Sequence, residues 1–159
     1  PNWVWQPNLA LSSNQNLDFI FERDGELVDL GKTQLAYSPN FISGSSLTYA
    51  ASTNFQITLL SKFVGKQYMG NIDSENSILP SYFINDLNIS YVWRPNKLLK
   101  EIQFSFLINN LLNKQYESNG YFYTYNDTWS APGKITTIEG AGFYPQAGIN
   151  FLTGLMIKF

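Results

Sequence analysis

Six stretches of this chain alternate apolar and polar side chains with a period of two, and in none does a charge fall on the apolar side. In residues 149–159, Ile149, Phe151, Thr153, Leu155, Ile157 and Phe159 share one side, opposite Asn150, Leu152, Gly154, Met156 and Lys158. In 101–109, Ile102, Phe104, Phe106 and Ile108 alternate with Glu101, Gln103, Ser105, Leu107 and Asn109. In 83–93, Phe83, Leu87, Ile89, Tyr91 and Trp93 share a side with Asn85, and Asp86, Asn88 and Ser90 lie opposite. Residues 55–68 set Phe55, Ile57, Leu59 and Phe63 against Gln56, Thr58, Lys62 and Lys66. The same rhythm runs through 41–50 (Phe41, Leu47, Tyr49) and 3–13 (Trp3, Trp5, Leu9, Leu11). Period two is the signature of a strand with two unlike faces, so the expectation is an all-β, antiparallel, up-and-down meander.

A soluble sandwich with one wet face would also alternate. Three features favour a membrane. The stretches are about as long as the 9–11 residues that cross a hydrocarbon layer at a tilt, whereas a soluble strand averages about 5–6. Lys62, Lys66, Asp86 and Lys158 all sit on the less apolar side, as a water-filled lumen requires; a lysine facing lipid at mid-depth costs roughly 2–4 kcal/mol. Aromatics gather near strand ends on the other side, with Trp3, Trp5, Tyr49, Phe55, Tyr91, Trp93 and Phe159 at one rim and Phe41, Phe63 and Phe83 at the other. Such girdles mark both interfaces of a transmembrane barrel. Trp93, Phe104, Phe106, Phe151, Leu155 and Ile157 are therefore expected to face lipid. Charged residues make up 14% of the chain, against about 25% in soluble domains. There is no apolar run of about 18 residues, so no helix of this chain spans a membrane.

The connections sort by length. Residues 51–54 and 94–100 are short, and 16–40, 69–82 and 113–146 are long, in strict alternation, as periplasmic turns and extracellular loops alternate in outer-membrane barrels. Asp24-Gly25 is expected to tip a hairpin within 16–40, because that pair accepts positive φ. Six strands cannot close such a barrel, whose smallest examples use about eight. The chain also opens on Pro1 without a leader. The expectation is a fragment, residues 1–159 being the C-terminal part of a barrel domain whose earlier strands lie upstream.

Four segments resemble the C-terminal end of TonB-dependent outer-membrane receptors of the Bacteroidetes type: SKFVGKQYMGN (61–71), YFINDLNISYVW (82–93), FSFLINNLLNKQYESNGY (104–121) and YPQAGINFLTGLMIKF (144–159). The resemblance covers nearly the whole chain and implies the last six strands of a 22-stranded barrel with a separate plug domain. It implies import of a small-molecule ligand, most commonly an iron–siderophore chelate, driven by the TonB complex through the plug. It also implies that the terminal Phe159 is read by the barrel-assembly machinery, that the site is the bacterial outer membrane, and that no cofactor is used. Gly70 departs from the pattern, standing where many relatives carry Asp. A non-transport barrel such as an adhesin, and a soluble β-sandwich binding module, are the alternatives.

Candidate functional residues follow. Tyr121, Phe122, Tyr123, Tyr125 and Trp129 crowd the last long connection. They form either an aromatic surface for a chelate or sugar or ordinary loop packing. Glu22, Asp24 and Glu26 either hold a cation or line a solvated hairpin tip. Lys62, Lys66 and Lys158 either attract an anionic ligand or pair with neighbouring strands or the plug. Asn109, Asn110 and Asn113 read as a strand end and its turn, and Gly148 and Gly154 as places of close approach. Asn88 and Asn126 head sequons without meaning in a bacterial barrel. The chain has no Cys and no His, so thiolate and imidazole chemistry is excluded, and an enzymatic role is not expected. Ten scattered basic residues against twelve acidic ones give nucleic acid no footing.

Overall fold

The computed structural model describes residues 2–95 and 99–159. Pro1 and the centre of the short 94–100 connection lie outside the described residues. In chain order the strands are β1 (Asn2–Leu11), β2 (Gln15–Asn16), β3 (Ile20–Arg23), β4 (Glu26–Asp29), β5 (Thr33–Gln34), β6 (Phe41–Ala50) and β7 (Phe55–Val64). They continue with β8 (Gln67–Tyr68), β9 (Ile78–Leu79), β10 (Tyr82–Trp93), β11 (Glu101–Asn109), β12 (Glu117–Asp127), β13 (Thr136–Pro145) and β14 (Asn150–Lys158). One 3-10 turn, Glu75–Ser77, precedes β9.

The six alternating stretches form one antiparallel sheet in the order β1-β6-β7-β10-β11-β14. Each strand of this sheet pairs with the next of the six in chain order, so the sheet is a meander. Its register keeps like with like. Trp5 pairs with Leu47, Leu47 with Leu59, Leu59 with Leu87, Leu87 with Ile108 and Ile108 with Phe151. One residue along, Thr48 meets Thr58, Thr58 meets Asn88 and Asn88 meets Leu107. A slip of one residue anywhere would reverse the faces, so this register carries the apolar face across six strands and sets against it a more polar face that Val4, Leu107 and Leu152 interrupt.

Both faces hold their strands with cross-strand pairs. On the apolar face, ring centroids lie 4.5 Å apart for Trp3–Tyr49, 5.5 Å for Phe41–Phe63 and 5.9 Å for Phe106–Phe151. On the polar face, the Thr48 and Thr58 hydroxyls are 3.0 Å apart. Polar groups on the apolar face pair with one another: the Ser61 hydroxyl donates to Asn85 Oδ1 at 2.6 Å, and Trp5 Nε1 donates to Ser45 Oγ at 2.8 Å.

The short connections 51–54 and 94–100 lie at one end of the sheet and every long excursion at the other. Ser52 Oγ closes the first turn by accepting from the N–H of Phe55 at 3.1 Å. The β3–β4 hairpin turns at Asp24 (φ 56°) and Gly25 (φ 82°), both positive as a two-residue hairpin of this twist demands. Among the described residues the sheet is open: β1 and β14 each pair on one side only.

Two expectations need correction. The stretch 55–68 is not one strand. Gly65 donates its N–H to Phe41 O at 2.8 Å, β7 ends at Val64 and the chain turns away. Lys66 therefore lies beyond the alternation that assigned it a lumenal direction, with its Nζ 5.1 Å from the Tyr68 ring centroid. The connection 113–146 is not simply a loop. It contains β12 and β13, a hairpin as long as the strands of the main sheet.

Candidate ligand-contacting surface

β12 alternates too, and its two faces have different fates. Gly120, Phe122 and Asn126, with Thr137 and Glu139 across on β13, face the other long excursions. Tyr37 Oη donates to Gly120 O at 2.9 Å. A Cβ on Gly120 would strike Met69 Sδ, and one on Gly70 would strike the Phe122 ring, so both positions need glycine's bareness for close packing. Gly70, the departure noted in sequence, thus makes room for Phe122. The β3–β4 tip docks through a reciprocal pair: Asp24 N–H donates to Thr137 Oγ1 and Thr137 N–H to Asp24 Oδ1, both at 2.7 Å. Glu139 joins all three excursions. Its carboxylate accepts from Arg23 at 3.3 Å, from Asn76 Nδ2 at 3.1 Å and from the Ser74 hydroxyl.

The opposite face of β12 carries the aromatic residues. Centroids step 6.0 Å from Tyr144 to Tyr121, 6.2 Å to Tyr123, 6.4 Å to Tyr125 and 6.0 Å to Trp129. The last three steps join rings within 18° of parallel. Across the ladder, Tyr121 faces Gly142 and Tyr123 faces Gly140. A Cβ on either glycine would run into the outer end of its tyrosine ring. The rings therefore lie down across the neighbouring strand instead of standing up from their own, and the glycines are what permits it. Trp129 is held at the tip by Asp127, whose Oδ1 accepts the N–H of Trp129 at 3.0 Å and of Ser130 at 3.1 Å. Those bonds, chiefly from the side chain and N–H of Ser130, hold the Asp127 carboxyl below the usual carboxylate range. Burial pushes the Tyr116 phenol up, at the hairpin's base where its ring lies 4.5 Å from that of Tyr82.

The structure brings Tyr121, Tyr123, Tyr125 and Trp129 into one row and turns Phe122 to the other side. The row gains Tyr144, which sequence reasoning missed. The available signal was the Gly140-Ala141-Gly142 spacing, two apart, matching the spacing of the tyrosines. The carboxylates of Glu22 and Asp24 are spent on docking: Glu22 Oε1 accepts from Asn126 Nδ2 at 2.8 Å. Among the described residues no carboxylate cluster is arranged to hold a cation.

In the main sheet, Trp93, Phe104, Phe106, Phe151, Leu155 and Ile157 occupy the apolar face. Lys62, Asp86 and Lys158 occupy the polar one. Lys62 and Asp86 border a hollow of about 400 Å³ shared with Asn8, Gly44 and Ser46. Lys158 donates to Glu101 at 2.8 Å, and Arg94 pairs with the same carboxylate at 3.1 Å. Asn110 (φ 50°) bridges the base of the hairpin, with Nδ2 donating to Lys114 O at 2.8 Å and Ala147 O at 3.1 Å. Asn113 Oδ1 accepts from Ile149 N–H at 3.0 Å. Phe159 follows β14 and is exposed.

Comparison with known protein families, characterised proteins and solved structures gives no match to this chain.

Proposed function

We propose that the six long strands are part of the wall of a transmembrane β-barrel in a bacterial outer membrane, and that the barrel imports a small ligand through a TonB-driven plug. One observation carries the membrane reading: the in-register apolar face is uncovered. On the interior strands β10 and β11, Phe83 is 46% exposed and Phe104 44%, and on the edge strands Trp3 is 66% exposed, Phe151 59% and Leu155 60%, where a water-soluble protein would hide such a face. Large continuous apolar surface does not persist in water. Lipid covers it at no cost, while the polar face with Lys62, Asp86 and Lys158 suits a wet lumen. The unpaired edges of β1 and β14 suit further strands on both sides, since an open edge in hydrocarbon strands several kcal/mol of unmet hydrogen bonds per group. In this reading Phe159 and the β14 edge meet the barrel-assembly machinery, and the three packed excursions stand outside the cell.

Residues 1–159 contain no cysteine, so single-cysteine scanning of the full-length protein in native membranes, with any cysteine elsewhere replaced, reads these strands alone. A water-soluble maleimide is expected to label Asn88→Cys and Ser105→Cys from the lumen and to leave Ile89→Cys and Phe106→Cys untouched. Labelling of both sets alike would refute the barrel wall. Import is read separately, by growth of a deletion strain on ferric chelates or on glycans as sole iron or carbon source, with and without functional TonB. Growth indifferent to both deletions refutes the transport part.

A further inference from the structure

The aromatic row restricts what can bind it. Its rings reach across the neighbouring strand and remain exposed, and an exposed aromatic ring carries a negative face that attracts weakly positive C–H groups. Strands β12 and β13 contain three charged residues, Glu117, Asp127 and Glu139, all acidic, and the hairpin's single basic residue is Lys134 in the connecting loop. A nucleic acid strand or a phosphorylated headgroup needs cations to neutralise phosphate, and an anionic metal chelate needs them equally. The area argues against a protein partner. The five residues are 42–67% exposed, and at roughly 200 Å² per aromatic side chain they offer about 500–600 Å². A stable protein interface covers about 800 Å² per partner. What remains is narrow, long and uncharged.

We propose that Tyr144, Tyr121, Tyr123, Tyr125 and Trp129 form a track for an uncharged linear oligosaccharide. Successive pyranose rings lay their C–H faces on successive aromatic rings, and the tyrosine hydroxyls and water meet the sugar hydroxyls. The inference rests on the external placement of this hairpin proposed above and replaces the iron chelate by a neutral glycan as the ligand of the row. The glycines opposite Tyr121 and Tyr123 are part of the site, because a side chain there would lift the rings.

The test is titration calorimetry on the full-length protein in detergent with maltohexaose, cellohexaose, xylohexaose and mannohexaose, and with ferric citrate as the anionic comparison. At least one neutral hexaose is expected to bind, with affinity indifferent to added salt. Tyr123→Ala should weaken it about tenfold, the ~1.4 kcal/mol of one aromatic contact, and Tyr123→Phe, which keeps the ring and loses one hydroxyl, should weaken it less. Heat-modifiable migration in gels shows that each variant is folded. No binding by any neutral hexaose, binding of ferric citrate alone, or equal losses in the Ala and Phe variants would overturn the proposal. Binding in detergent needs no transport, so TonB-independent growth would remove the import reading and leave the track standing.

Discussion

Lysine substitution along β10 measures which solvent the apolar face meets. Ten residue steps separate Phe83 from Trp93, about 34 Å of strand at ~3.4 Å per residue. At a tilt of roughly 40° this is about 26 Å along the membrane normal, close to the ~25 Å apolar band of an outer-membrane barrel. Leu87 and Ile89 flank the midpoint, Phe83 and Trp93 sit at the rims, and Asn88 lies at the midpoint on the polar face. Lysine at Leu87 or Ile89 should cost about 2–4 kcal/mol for its charge, and at Phe83 or Trp93 about 0–1. The central values correspond to roughly 30- to 700-fold in the folding equilibrium. Asn88→Lys, facing the lumen, should cost close to nothing. An alanine variant at each position removes the contribution of lost side-chain contacts, so the lysine-minus-alanine difference isolates the charge. The assay is reversible urea unfolding of the full-length protein from phospholipid vesicles. A central maximum with near-zero ends is the expected profile. A flat profile, or an Asn88→Lys cost equal to those at Leu87 and Ile89, would refute the assignment: the apolar face would then pack on protein, or the polar face would not be wet.

Glu139→Ala should speed amide exchange in 20–29 and 74–78 without changing exchange in β7 or β10. The Arg23 pair alone is surface-exposed and contributes under about 1 kcal/mol, so the effect is on docking rather than on global stability, and unchanged exchange in both segments would count against the hub. Acid should loosen the hairpin tip. The Asp127 carboxyl titrates below its unfolded value of 3.8, so its contribution is complete above that value and is lost as pH falls through the lower folded one. Tryptophan emission should shift in that acid range in the wild type and not in Asp127→Asn; identical titrations would dissociate Trp129 from Asp127.

The six long strands were legible because one face of each meets a single environment along its whole length. Period two then shows in the sequence residue by residue, and a hairpin pair such as Asp24-Gly25 announces its own turn. The second hairpin was less legible for a physical reason. In β12 both faces carry aromatics, Tyr121 and Tyr123 on one and Phe122 on the other, so the polar–apolar contrast vanishes although the strand remains. Its partner β13 is thinned by Gly140 and Gly142, residues that by themselves disfavour strand. They become intelligible only when the tyrosines that cover them are seen. Lys66 shows the opposite limit: its parity matches the polar side, but the strand ends at Val64 and the backbone turns at Gly65, so parity no longer gives it a direction. Glu139 could not be found at all, since its partners Arg23, Ser74 and Asn76 are far away in sequence.

The choice of aromatic residue supplies an argument that alternation alone does not. On the apolar face of the main sheet, tyrosine occurs only at Tyr49 and Tyr91, each within two residues of its strand's short-turn end, and the aromatic residues nearer the middle, such as Phe106 and Phe151, are phenylalanines. On the aromatic row of the hairpin, tyrosine supplies every ring but one. A phenol hydroxyl needs a hydrogen-bond partner, which hydrocarbon cannot give and water or a sugar can. Both surfaces are bare of basic side chains on their strands and both are exposed, yet phenol hydroxyls are confined to the strand ends on one and run the length of the other. If water bathed both, that difference would have no cause. If lipid covered both, the row of hydroxyls on β12 would be as costly as the missing strand partners of β1 and β14. A chain whose strand faces meet hydrocarbon, and whose outermost hairpin meets water and a hydroxylated ligand, accounts for the two compositions together.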